Sequence, residues 1–148
     1  MSDKYVPMIS SGVAGPPGVL HLPRLWQKVS REAAGKLADG YPGIGAGYDS
    51  MVLGALGVDH DATKKFVADN KPTYPAFEKW IREQAGNKVN KQNIHKLNVS
   101  ILGYIHDDET RKGILDASGI DDETTVCPDA VNLNNIDDWQ EFHAAVLK

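Results

Sequence analysis

The sequence predicts an all-α protein. Three observations carry that expectation. Apolar residues recur at spacings of three and four along most of the chain, capping residues and glycines bracket those runs, and no segment alternates as a half-buried strand does. The best strand candidate, Thr124-Thr125-Val126-Cys127, is short and stops at Pro128. The expected architecture is a compact single-domain bundle of about seven short helices.

Taken in order, residues 1–21 are rich in Gly, Pro and Ser and contain Gly15-Pro16-Pro17-Gly18, so they read as a flexible N-terminal arm ahead of a helical domain over 22–148. The first helix starts at Leu22-Pro23, because proline lacks an N–H that would be unpaired at that position anyway. Leu22, Trp26, Val29, Ala33 and Leu37 form its buried stripe, and Arg24, Lys28 and Arg31 share the opposite face. A glycine-rich loop follows, Gly40-Tyr41-Pro42-Gly43-Ile44-Gly45-Ala46-Gly47. A second helix runs from about Tyr48 to Leu56, and a third follows Asp59 with Phe66 and Val67 inward. Thr73 caps a fourth, with Phe77, Trp80 and Ile81 inside and Gly86 at its end. Asn90 caps a fifth, carrying Ile94, Leu97, Ile101 and Tyr104, and Asp107 caps a sixth that stops at Gly119. A loop over 121–136 leads to Asp137, read as the cap of a last helix with Trp139, Phe142 and Val146 facing the core.

One turn occurs twice. Gly57-Val58-Asp59 is echoed at an offset of 62 by Gly119-Ile120-Asp121, and Leu53 matches Leu115, Phe77 matches Trp139 and Trp80 matches Phe142. Glycine suits the left-handed end of a helix and Asp the start of the next. The pattern implies two related helical units with a weak internal duplication.

Composition narrows the function classes. A chain of 148 residues buries about 70% of its unfolded surface, enough for a core. No apolar run reaches the ~20 residues of a membrane span, and no secretory signal precedes Pro7. The lone cysteine, Cys127, has no internal partner, which with the missing signal places the expectation in the cytoplasm. Residues 1–106 carry 13 Lys/Arg against 9 Asp/Glu, whereas residues 107–148 carry 3 against 11. An acidic C-terminal third without a basic, aromatic-laced stripe excludes nucleic acid as the expected partner.

The basic face of the first helix is the leading site. Arg24, Lys28 and Arg31 lie within two turns and can gather around a small anion. The following loop can bring Tyr41, Tyr48 and Asp49 beside them for hydrogen bonding or proton transfer. His95 and Asn98, one turn apart beside an apolar stripe, are a second polar pair. The glycine loop lacks the spacing of a dinucleotide fingerprint and is followed by no Gly-Lys-Ser/Thr, so it reads as a connector. The five histidines form no zinc spacing, and Asp107-Asp108-Glu109 and Asp121-Asp122-Glu123 read as helix starts rather than calcium loops. No metal and no cofactor are implied.

The stretch His21-Leu22-Pro23-Arg24, Lys28, Arg31, Ala34-Gly35-Lys36-Leu37 and Leu53-Gly54-Ala55-Leu56-Gly57 resembles a bacterial family catalogued as domain of unknown function 5069. Asn98, Gly103-Tyr104, Asp108, Arg111-Lys112 and Asp137-Asp138-Trp139 extend the resemblance from about Gly18 onward. It implies a small cytoplasmic bacterial protein and brings no catalytic residues. The functional expectation is therefore a protein that binds a small anionic molecule between the two units, as a binder or a metal-free enzyme. The alternative is an interaction module, a homodimer in which the acidic third of one chain meets the basic helix of another. A third option, a metal-dependent hydrolase, needs three or more converging His, Asp or Glu ligands.

Overall fold

Local punctuation sets the elements. The computed structural model describes residues 3–121 and 129–147, and it is all-α. Its helices are α1 (Leu22–Ala33), α2 (Tyr48–Leu56), α3 (His60–Asn70), α4 (Tyr74–Ala85), α5 (Lys91–Leu102), α6 (Asp108–Ser118) and α7 (Ala130–Phe142). A 3₁₀ turn over Gly86–Lys88 follows α4, and a π-helical turn over His143–Leu147 extends α7. Among the described residues the only β pairing is isolated bridges.

The caps behave as their chemistry requires. Asp59, Asn90 and Asp107 each accept a hydrogen bond from the backbone three residues on, at Ala62, Asn93 and Thr110. Thr73 begins α4 through its carbonyl, which accepts from the Phe77 amide, while its side chain makes no capping bond. The repeated turn is real as a local motif. Gly57 and Gly119 are left-handed, at φ 67° and 69°, and Val58 and Ile120 reach back to the carbonyls of Leu53 and Leu115.

α1 is the central rod, packing against α2, α3 and α4. Leu22, Leu25 and Val29 of α1 meet Val52, Leu53 and Leu56 of α2, Val67 of α3 and Phe77 and Ile81 of α4 in one buried cluster. Phe66 and Trp80 close it with stacked rings 4.5 Å apart. α6 and α7 pack mainly on each other.

Several expectations need correcting. The N-terminal segment is extended and lies against the helices rather than standing off as an arm: Tyr5 pairs with Leu37, and Val6, Ser11 and Val19 are buried. The stripe of α1 stops early, because Gly35 turns left-handed; Ala33 is exposed and Leu37 lies outside the helix. Tyr104 likewise falls beyond α5 and is exposed. α7 begins at Ala130, capped by Asp129 accepting from Asn132, so Asp137 sits mid-helix and 130–136 is not loop. Cys127 and the strand candidate around it lie outside the described residues. The duplication also fails in the packing: Phe77 is 0% exposed, whereas its counterpart Trp139 is 58% exposed. Phe142 and Val146 are exposed too, because α7 has no equivalent of α3 against that face.

Candidate functional site

A cleft of about 650 Å³ opens where α1, the glycine loop, the start of α2, the 104–106 segment and α7 converge. Its lining includes Arg24, Lys28, Tyr41, Tyr48 and Asp49, five of the residues singled out from sequence. The remaining three go elsewhere. Arg31 donates to the Val6 carbonyl and covers the Tyr5 ring. Asn98 straps the chain ahead of α1, accepting from the Leu20 amide and donating to the Gly18 carbonyl. His95 is exposed and makes no hydrogen bond or ion pair among the described residues.

The base of the cleft is two buried ion pairs. Arg24 is 6% exposed and Lys28 7%, so these two cations are enclosed rather than open to solvent. Arg24 grips Asp138 of α7 with two hydrogen bonds of 2.6 and 3.0 Å and donates a third to the Ile9 carbonyl at 2.9 Å. Tyr41 donates to the same carboxylate at 3.2 Å. Lys28 pairs with Asp49 of α2. The basic helix thus meets its acidic partners within one chain.

Asp49 is the hub. Its carboxylate accepts from Lys28, from His21 Nε2 at 2.5 Å and from the Gly45 amide at 2.7 Å. Burial alone would raise its pKa; these donors and charges outweigh that and hold it down at about 2. Asp49 is therefore ionised at neutral pH and unsuited to shuttling a proton. His21 reaches it because its backbone is left-handed, at φ 71°, immediately before Leu22. Burial pushes the imidazole pKa below its ordinary value and outweighs the pull of Asp49, so the ring is neutral. Nε2–H then donates to Asp49, and Nδ1 accepts from Ser11 Oγ at 2.9 Å.

Ser11, His21 and Asp49 are the residue types of a hydrolytic triad, but Ser11 is 1% exposed and lies away from the cleft lining. A nucleophile must reach its substrate, so this relay is structural.

The glycine loop serves the protein's own carboxylates. Gly43 donates its amide to Glu32 at 2.9 Å and Gly45 to Asp49. A Cβ at Gly43 would lie 2.5 Å from the Glu32 carboxylate, the far end of a flexible side chain that would have to swing aside.

The upper cleft differs in character. Tyr48, buried, donates to the Ile101 carbonyl at 2.7 Å, and burial first, then Asp129, pushes its pKa up to about 12. Tyr41 is pushed up as well, by burial and by Asp138. Tyr104 and His106 meet edge to face, and His106 Nε2 lies 2.9 Å from Asn134 Oδ1. Asp137 lines this part, half-buried, and makes no hydrogen bond or ion pair with any described residue. Burial, Asp138 and Glu141 push its pKa above the ordinary carboxylate value.

No family model matches this chain, and no curated protein matches it. The arrangement must therefore be read from its own chemistry. Among the described residues no three His, Cys, Asp or Glu side chains converge as metal ligands would, and no helix is long and apolar enough to cross a membrane.

Sequence reasoning missed His21, Asp138, Asp137 and His106. His21 carried a usable signal, its place directly before the Leu-Pro helix start. Asp138 stands 114 residues from Arg24, and no spacing rule spans that distance.

Proposed function

We propose that the protein binds a small molecule in this cleft. The observation that carries the reading is convergence: distant segments meet around one concavity, rings of Tyr41, Tyr48, Tyr104 and His106 line it, and a half-buried carboxylate in it, Asp137, has no hydrogen bond or ion pair from any described residue. Concave sites with apolar or aromatic walls and few polar groups are where small ligands bind. Two buried ion pairs beneath it cost desolvation and are weak devices for stability alone, whereas they fix the walls of a site well.

Arg24 and Lys28 enter as that foundation. Carboxylates already neutralise both, which removes them as a clamp for an anionic ligand. The residues that carry the resemblance to domain of unknown function 5069, His21, Arg24 and Lys28 among them, are the ones that build this base.

The test is protein-observed NMR with a fragment library. Hits should perturb amides of residues 40–51 and 104–106. A library whose hits all perturb other surfaces, or that yields none, would refute the reading.

A further inference from the structure

Resting on that reading, we infer that the cleft takes a small organic cation, an amine or a guanidinium, with the Asp137 carboxylate as its counter-ion.

The charge arrangement leads there. Arg24 and Asp138 cancel, as do Lys28 and Asp49, and His21 sits neutral beneath them. Asp137 is the remaining carboxylate in the lining. It is half-buried without a donor from any described residue, and a carboxylate so placed gains most from a ligand that brings one.

The neighbours of Asp137 also offer acceptors. Tyr41 O–H is directed to Asp138, which leaves the phenol oxygen able to accept. His106 spends Nε2 on Asn134 Oδ1, which leaves Nδ1 of the ring for a ligand. The aromatic walls suit a cation as well, since ring faces attract positive charge. Anions fare worse, because two of the loop amides that could cradle one ahead of α2, those of Gly43 and Gly45, are already turned to Glu32 and Asp49. The volume of about 650 Å³ suits a molecule of metabolite size.

The experiment compares two probe sets by NMR titration: agmatine and tyramine as cations, inorganic phosphate and citrate as anions. Each is titrated into the parent and into Asp137→Asn. The substitution is isosteric and breaks no side-chain hydrogen bond to any described residue, and a melting curve verifies that the variant is folded. Expected are shifts at residues 40–51 and 104–106 with the amines, and binding at least about tenfold weaker in Asp137→Asn. Cleft shifts with the anions alone, or amine binding unchanged by Asp137→Asn, would overturn this inference while leaving the cleft as a binding site. No cleft shift with either set would count against both.

Discussion

Replacing Arg24 by alanine removes more than a charge. The Asp138 carboxylate, 3% exposed, loses both hydrogen bonds from Arg24 and, among the described residues, keeps the 3.2 Å bond from Tyr41, and the Ile9 carbonyl loses its donor too. Stranding one member of a buried ion pair costs roughly 3–5 kcal/mol. At this chain length each kcal/mol is worth about 2–4 °C, so Arg24→Ala should melt roughly 10 °C below the parent. The pair itself need not stabilise: two well-packed apolar side chains in its place are often neutral or better. A double-mutant cycle separates these contributions. Arg24→Met and Asp138→Leu should each destabilise by roughly 3 kcal/mol, and the double variant should recover at least about 2 kcal/mol relative to their sum. Urea denaturation at pH 7 measures all four proteins, with the slope against urea checked for constancy. An Arg24→Ala protein melting within about 2 °C of the parent, or a cycle that is simply additive, would refute the buried-pair argument.

Acid should act in two stages. His21 has a lowered folded-state pKa, so stability held above about pH 6.5 begins to fall as the unfolded chain takes up that proton; Asp49, depressed to about 2, withdraws roughly 2 kcal/mol more between about pH 4 and 2. Urea midpoints measured from pH 8 to 3 should show the first loss in the parent and lack it in His21→Asn. Asp137 runs the other way: its raised pKa means stability is lost as pH rises through it, so Asp137→Asn should be the more stable protein at pH 7, as calorimetry would show. Phe77→Ala should cost roughly 3–5 kcal/mol and Trp139→Ala less than about 1 kcal/mol, because the first side chain is enclosed and the second is 58% exposed; comparable losses in denaturant would contradict that difference.

Short-range chemistry was legible in the chain. Gly57, Gly119, Asp59, Asn90 and Asp107 act on backbone groups within a few residues, so their types and positions were enough to place the five helix starts or ends they govern. α7 was misplaced because Asp129 and Asp137 are both of a residue type that caps helices, and caps are chosen by backbone geometry that sequence does not display. Periodicity grouped Arg24 with Lys28 correctly. It could not reveal that their face is buried, since what covers it comes from α2 and α7. The repeat misled at Trp139 and Phe142 for a related reason: matching letters imply matching helices, while burial depends on which neighbour packs against them.

The distance along the chain between Arg24 and Asp138 has a consequence for synthesis. At ribosomal speeds of about 5–20 residues per second, the 114 residues between them take roughly 6 to 23 s to make. During that interval Lys28 can already find Asp49, only 21 residues away, but the Arg24 guanidinium has no carboxylate to meet and must stay hydrated. α1 therefore cannot settle fully into its final burial until α7 has left the ribosome. Asn134 and Asp137 travel with α7, so the cleft lacks that wall until α7 has emerged.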